Sequence, residues 1–261
     1  MPDISGHHVH AVTVGAGAPA VMIHCALSNH DSLLPLSKVL GEQATLFDMP
    51  GHGRSDDWDG KHDYQTLVVD AAVACCDGPT HLIGHSFGAT VALRLAVERP
   101  DLVNRLTLIE PVYFAAAKGT TEHARYAKAF RPFVGAMLAG EEARAAEIFN
   151  DLWGAVPWSG IPTRMQERLV RRIHLIVASG GAIEEDATGI TSAERLGALD
   201  VPVTLIRGAD TQPVIAAIHS ALVSRIPNAI DHVIAGAAHM VAMTHVAEVA
   251  AIIRAAEQET G

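Results

Sequence analysis

The pentapeptide Gly84-His85-Ser86-Phe87-Gly88 decides the fold of this chain. It matches the pattern G-x-S-x-G, in which a serine lies on a sharp turn between a strand and a helix. An apolar strand pattern at 81–84 precedes it, and a helical pattern at 86–99 follows and ends before Pro100. Glycines on both sides of the serine relieve the crowding of such a turn. The pattern and its context predict a nucleophilic serine, Ser86.

Strand and helix patterns alternate on both sides of this turn. Short runs rich in Val, Leu and Ile occupy 20–24, 45–48, 105–109 and 203–207. Such continuous apolar runs are typical of strands buried on both faces of a parallel sheet. Helical stretches between the strands favour an α/β fold with a doubly wound, mostly parallel sheet. Ligands in such sheets bind outside the carboxyl ends of the strands.

Strand patterns stop in the middle of the chain. Between 113 and 199 only helical stretches follow one another. We therefore expect a helical lid at 113–199, inserted between two strands of a core made of 1–112 and 200–261. A chain of 261 residues is long enough for this arrangement without disulfides or metal ions as staples.

Composition and charge exclude several classes of function. The formal net charge is −10 and no basic patch is present, so nucleic acid and anionic membranes are not expected partners. Residues 1–5 lack the pattern of a signal peptide, and three cysteines without framework spacing favour a reducing cytoplasm. No spacing typical of metal ligands is seen, so we expect neither metal nor cofactor. The oligomeric state stays open.

Four motifs in the same order resemble those of the α/β-hydrolase family along nearly the whole chain. Besides the serine pentapeptide, Asp48-Met49-Pro50-Gly51-His52-Gly53-Arg54-Ser55 resembles the family's D-x-P-G-H-G-x-S loop. His24-Cys25-Ala26-Leu27 stands where the family usually has H-G-x, and Gly236-Ala237-Ala238-His239-Met240 resembles its G-x-G-H loop. The resemblance implies the serine branch of this fold, with a lid where the helical insert occurs.

A serine hydroxyl becomes a good nucleophile only when a base takes its proton. The resemblance and its position before the last helix assign this role to His239. The N–H of Phe87, at the start of the helix after the serine, is expected to stabilise an oxyanion. The second donor is expected from the loop after the third strand, where Ala26 is the positional match and Leu27 comes next.

The carboxylate that orients the base has two candidates. Asp210 lies after the strand at 203–207, where the family commonly carries its acid, but an alignment without gaps puts Thr211 at the acid's place. Glu110 ends the preceding strand, and some members of the family carry the acid there. Both strand tips lie at the same edge of the sheet, so either side chain could reach the base. The sequence leaves both open, with a slight preference for Glu110.

These residues together predict a serine hydrolase that acts on a carboxylic ester or a related acyl substrate, a small molecule. Hydrolysis of a carbon–carbon bond in a diketone, or perhydrolysis without cofactor, are alternatives on the same fold. A binding protein that uses the pocket without catalysis is an alternative of another class, because fold alone does not give function. The residues expected to line the substrate pocket are His24, Cys25, His85, Phe114, Trp153 and Trp158.

Overall fold

A seven-stranded sheet forms the centre of the molecule. The computed structural model describes residues 3–260, with side chains through residue 258, so residues 1, 2 and 261 of the predicted core lie outside the described range. A separate antiparallel pair of short strands, β1 and β2, precedes the sheet. The strands are β1 Asp3–Ile4, β2 His7–His8, β3 Ala11–Val14, β4 Pro19–Ile23, β5 Gln43–Phe47, β6 Thr80–His85, β7 Val103–Ile109, β8 Val203–Gly208 and β9 Ala229–Ile234.

The strand order creates a binding crevice at the centre of the sheet. The order is β3-β5-β4-β6-β7-β8-β9, with β3 antiparallel to β5 and the other neighbours parallel, which confirms the predicted fold class. The chain runs outward from β4 to β5 and then returns to place β6 on the other side of β4. Such a switch point is where ligands bind in open α/β sheets. Ala26 follows β4 and Ser86 follows β6, so both lie at this point.

Helices cover both faces of the sheet and fill the segment between β7 and β8. In chain order they are α1 Leu34–Leu40, α2 Tyr64–Val73, α3 Phe87–Glu98, α4 Thr121–Leu138, α5 Glu142–Trp153, α6 Thr163–Arg172, α7 His174–Ala178, α8 Gly180–Ile183, α9 Ala193–Gly197, α10 Pro213–Val223, α11 Val241–Thr244 and α12 Val246–Thr260. Alternate residues of a strand point to opposite faces. In β4, Val21 and Ile23 pack in the core with α2, α3 and α10, whereas Ala20 and Met22 pack with α1 and α12.

The helices α4 to α9, between β7 and β8, are called the inserted helices below. α4 packs on α5, and α5 packs on α6. They share a small core of their own that includes Phe133, Ala145 and Ile173. The helical character of this segment agrees with the sequence, while its separation as a lid domain at 113–199 stays a prediction. Within residues 3–260, we find no helix that combines the length and the apolar character needed to cross a membrane.

Two glycines allow the first turn of α3 to pack directly on the sheet. A Cβ on Gly88 would overlap the backbone carbonyl oxygens of Ile23 and His24 at the end of β4. A Cβ on Gly84 would overlap the backbone of Gly88 and Ala89. The glycines of the G-x-S-x-G motif are therefore required sterically, because backbone meets backbone at both positions.

We expect Gly88→Ala to lower the free energy of unfolding by about 1–3 kcal/mol, because the added methyl group forces α3 and β4 apart. Gly135→Ala is the matched control, since Gly135 lies in α4 and a Cβ there meets nothing within 4 Å. Alanine is the better helix former, so the control is expected to gain about 0.5–1 kcal/mol. Urea unfolding followed by circular dichroism measures both. A Gly88→Ala protein as stable as wild type would contradict the steric argument.

Candidate active site

Ser86 lies on a strained turn between β6 and α3. Its backbone has φ 57° and ψ −118°, in the region that side-chain-bearing residues rarely adopt. Its N–H donates a hydrogen bond of 2.8 Å to the carbonyl oxygen of Ile109 at the end of β7. The residue is 7% exposed. The turn directs the hydroxyl away from the sheet and toward the loop that follows β9.

A continuous chain of hydrogen bonds joins Ser86, His239 and Glu110. Ser86 Oγ lies 3.0 Å from His239 Nε2, and His239 Nδ1 lies 2.9 Å from Glu110 Oε2. A carboxylate only accepts hydrogen bonds, so Nδ1 carries the proton and Nε2 is left to accept the serine hydroxyl. Glu110 is fully buried and His239 is 6% exposed. The three side chains stand in the order expected from the sequence for a nucleophile, a base and an acid.

Two further donors hold the Glu110 carboxylate in place. The N–H of Gly208, at the end of β8, donates to Oε1 at 2.8 Å, and the Thr211 hydroxyl donates to Oε2 at 2.6 Å. Burial acts to raise the pKa of Glu110, but the hydrogen bond and the charge of His239, with the donors from Thr211 and Gly208, outweigh it and lower the pKa below its ordinary value. The carboxylate is therefore kept ionised beside the imidazole.

The structure brings Glu110, rather than Asp210, to His239. Asp210 is exposed on the loop after β8, and its backbone N–H donates to the carbonyl oxygen of Ala237. The next residue, Thr211, stands at the place that the family alignment reserves for the acid, and its hydroxyl reaches Glu110 instead. This corrects the assignment of Asp210 as the candidate acid. The one-residue offset turns its side chain to solvent.

Two backbone N–H groups remain available to hold an oxyanion. Within residues 3–260, neither the N–H of Ala26 nor that of Phe87 has a hydrogen-bond partner, and both residues line the cavity next to Ser86. The N–H of Leu27, the other candidate, donates to His52 Nε2 at 2.9 Å and is therefore occupied. This corrects the assignment of Leu27. Its bond to His52 instead fixes the loop that presents Ala26.

A cavity of about 660 Å³ lies above these groups, between the sheet and the inserted helices. Its wall is mostly apolar, and Trp153 contacts the base through an edge-on ring contact of 4.7 Å between ring centroids. Leu138, 84% exposed, and Val177, 55% exposed, lie where the cavity meets solvent. Phe114, which precedes α4, belongs to the wall. Much of the rest comes from the inserted helices, whose apolar members there include Tyr126, Phe130, Phe133, Val134, Met137, Phe149, Ile176 and Ile183.

Phe114 and Trp153 line this cavity, but four other residues expected there do not. His24 is fully buried, with Nδ1 on the Cys25 carbonyl oxygen at 2.7 Å and Nε2 accepting the Met49 N–H. Cys25 packs beside it and is 4% exposed. These two side chains shape the loop instead of the pocket.

His85 and Trp158, the other two residues expected in the pocket, lie outside it for different reasons. His85 points below the site, where Nε2 donates to the carbonyl oxygen of His239 at 2.9 Å. Its side chain is fully buried and supports the loop that carries His239. Trp158 packs on the small core of the inserted helices and borders a separate surface depression. Spacing along a helical segment gave no indication of which side its ring would take.

Most residues of the cavity wall were not anticipated from the sequence, and one of these residues, Glu184, carries a charge. Glu184 follows α8 and lines the cavity, and its Oε1 accepts the hydroxyl of Tyr126 at 3.0 Å. Burial raises the pKa of Glu184 above its ordinary value, and Glu185 adds to this while Tyr126 and Lys118 oppose it. A glutamate in a polar stretch has no local signal that distinguishes it from a solvated surface residue.

Among the described side chains, three groups lie close enough together to hold a metal ion, although local sequence spacing had suggested none. They are His7 with Asp59 and His62, His10 with His30 and Asp48, and Glu42 with His81 and Glu257. The buried group has a structural explanation, because His30 donates both its backbone N–H and Nδ1 to the Asp48 carboxylate. No member of these groups lines the cavity above Ser86.

A sequence model of the alpha/beta hydrolase fold family matches residues 19–246. This range contains the strained turn at Ser86, the residues Glu110 and His239, and the inserted helices. The chain therefore belongs to the alpha/beta hydrolase fold family.

Individual relatives share part of the sequence. The chain is 33% identical over 110 residues to an (E)-2-((N-methylformamido)methylene)succinate hydrolase of Acinetobacter baylyi, covering 40% of this chain and 41% of the relative. It is 34% identical over 137 residues to lipase LipV of Mycobacterium tuberculosis, covering 47% and 46%. The aligned parts span less than half of each relative.

A solved structure shares the whole fold. The structure of a thermophilic esterase aligns over 100% of this chain and 97% of its own, with a TM-score of 0.70 and 18% sequence identity. At this identity the likeness concerns the fold.

We expect the free energy of unfolding to decrease as the pH is lowered from about 6.5 to about 4. Burial, opposed only in part by the hydrogen bonds of these imidazoles, lowers the pKa of His24 and of His85 to about 4. Histidines in the unfolded chain bind protons from about pH 6.5 downward. The unfolded state thus holds more protons in this window, so stability is lost as the pH falls.

The substitution His85→Gln tests this origin, because the glutamine amide can still donate to the His239 carbonyl oxygen while nothing at the position titrates. The dependence of the unfolding free energy on pH should become shallower, by up to about 1.4 kcal/mol per pH unit for one proton. His8→Gln, at an exposed position, is the control. Urea unfolding at a series of pH values makes the measurement. An unchanged slope in His85→Gln would contradict the assignment.

Proposed function

We propose that the protein is a serine hydrolase that cleaves carboxylic esters, or related acyl substrates, through an acyl-enzyme intermediate. One observation carries the proposal: the hydrogen-bonded chain from Ser86 through His239 to Glu110 at the floor of an apolar cavity. Each link has the distance that nucleophile activation requires. The apolar wall supports a small molecule with a substantial hydrocarbon part.

In the first half of the reaction, Ser86 Oγ attacks the carbonyl carbon of the ester, and its proton moves to His239 Nε2. Glu110 stabilises the imidazolium that forms. The carbonyl oxygen becomes an oxyanion and is held by the N–H groups of Ala26 and Phe87, each worth about 3 kcal/mol or more to the transition state. When the tetrahedral intermediate collapses, His239 gives its proton to the leaving alcohol and the acyl group stays on Ser86.

In the second half, water attacks the acyl-enzyme. His239 takes a proton from this water, the oxyanion forms again at the same two N–H groups, and the collapse releases the carboxylic acid. The proton returns from Nε2 to Ser86 Oγ. Net consumption is one water per ester, and every proton passes through a single nitrogen atom.

A serine at the turn, and unbroken hydrogen bonds from it through His239 to Glu110, favour this reaction over its alternatives. Alkyl-enzyme chemistry on this fold needs a carboxylate at the turn, where this chain has Ser86. A protein that only binds its ligand has no use for a buried, triply hydrogen-bonded Glu110 behind a histidine. Carbon–carbon bond hydrolysis and perhydrolysis share the same residues and stay as alternatives, without an observation that favours them.

We expect wild type to hydrolyse p-nitrophenyl esters in a series from acetate to decanoate, with a preference for chains that fill the apolar cavity. Ser86→Ala should lower kcat by about a thousandfold or more, because the nucleophile is removed. Release of p-nitrophenol measures the rates, and thermal melts check the fold. Labelling of wild type by a fluorophosphonate, absent in Ser86→Ala, is an independent readout. A variant as active as wild type would overturn the proposal.

The acid is tested by a matched pair of substitutions. Glu110→Gln keeps the shape but removes the charge that stabilises the imidazolium, so kcat should fall by about 10⁴. Asp210→Asn makes the same change on the exposed neighbour and should stay within about twofold, as surface changes usually do. Both rates come from the ester that wild type prefers. Equal effects of the two substitutions would contradict the role of Glu110.

A further inference from the structure

The cavity has an uneven distribution of charge. Its wall is apolar apart from a few groups, and two carboxylates, Glu184 and Glu185, belong to it. Among the described residues that line it, none is a lysine or an arginine. A ligand that enters the cavity thus meets negative charge without a cation of the wall to neutralise it.

The two carboxylates face different surroundings. The Glu185 side chain is 72% exposed and pairs with Lys118 at 2.9 Å, so its charge is solvated and neutralised. Glu184 is half-buried, and the Tyr126 hydroxyl donates to its Oε1. In the part of the chain that the structure describes, Oε2 of Glu184 has no hydrogen-bond partner. One oxygen of a poorly solvated carboxylate therefore remains free to bind a ligand.

Aromatic rings beside Glu184 add to the same preference. Tyr126, which holds the carboxylate, stacks on Phe114 with ring centroids 4.1 Å apart and on Phe130 at 5.4 Å. All three rings line the cavity. Because these rings stack on one another, their faces cover each other, and their main effect is to keep water away from Glu184. A cation next to Glu184 would therefore gain a charge partner whose attraction water screens only in part.

We propose that Glu184 determines specificity by binding a cationic amine, protonated or quaternary, carried on an otherwise apolar chain of the ester substrate. The inference rests on the proposed function and names its substrate class. A partly buried charge pair is worth more than one in water, because screening is weaker. The same carboxylate disfavours substrates with a carboxylate at that end.

Two substrates of the same shape isolate the charge. p-Nitrophenyl esters that end in a trimethylammonio group are compared with esters of equal length that end in a tert-butyl group, at chain lengths from four to ten carbons. Each kcat/KM is divided by the rate of spontaneous hydrolysis, which removes differences in intrinsic reactivity. For wild type, the ratio of cationic to neutral substrate should exceed one at the length that reaches Glu184.

Glu184→Gln should lower this ratio by about tenfold, which corresponds to about 1.4 kcal/mol, because only the cationic ester loses a charge partner. Glutamine can still accept the Tyr126 hydroxyl, so the wall should stay intact, and a thermal melt checks it. Glu185→Gln is the matched control, because it removes an equal charge that lies on the same wall but is exposed and paired. Its ratio should stay close to that of wild type.

A binding measurement decides the inference without turnover. Hexyltrimethylammonium should bind wild type and Glu185→Gln with similar affinity in isothermal titration calorimetry, and Glu184→Gln about tenfold more weakly. A selective loss in either experiment supports the inference. If Glu184→Gln changes neither the ester ratio nor this affinity, it is overturned. Hydrolysis of neutral esters without charge discrimination leaves the proposed function standing, whereas absence of ester turnover contradicts that function and leaves the calorimetry to decide on Glu184.

Discussion

The contact between the first turn of α3 and the end of β4 is the constraint on which the site depends. Gly88 brings backbone against backbone there, and Gly84 admits the same helix turn from the other side. With the helix held so close, Ser86 has no room for a relaxed conformation and keeps its positive φ. The same approach sets the Phe87 N–H beside the loop that carries Ala26, so one steric contact places both the proposed nucleophile and the proposed oxyanion donors.

The sequence predicts the fold well because its signals are local and repeated. Buried strands appear as apolar runs, and the serine turn carries its glycines in fixed positions, so the sheet, Ser86 and His239 follow from patterns within a few residues. The acid is different. Glu110 reaches His239 only because β7 ends next to β8, and its donors come from Gly208 and Thr211, about a hundred residues further along. Because local sequence patterns do not report such long-range contacts, the sequence alone leaves two candidates for the acid.

The pocket is the least predictable part for the same reason. His24, Cys25 and His85 belong to the motifs, but their side chains are buried and support the neighbouring loops instead of lining the pocket. Whether an aromatic residue of the inserted helices faces the cavity depends on how those helices pack on one another. No sequence pattern singles out Glu184. In the fold, its position beside Tyr126 distinguishes it from the many solvated carboxylates of this acidic protein.

The end of β7 joins parts of the site that the chain otherwise keeps apart. The Ile109 carbonyl oxygen holds the Ser86 N–H, Glu110 faces the base, and Phe114 already belongs to the cavity wall. In the proposed mechanism, the first residue after the strand, Glu110, serves the reaction, and the helices further along serve the choice of substrate. A chimaera that exchanges the inserted helices with those of a relative keeps the contacts to Ser86 and His239 only if the upstream junction lies after Glu110, and it also keeps this part of the cavity wall if the junction lies after Phe114.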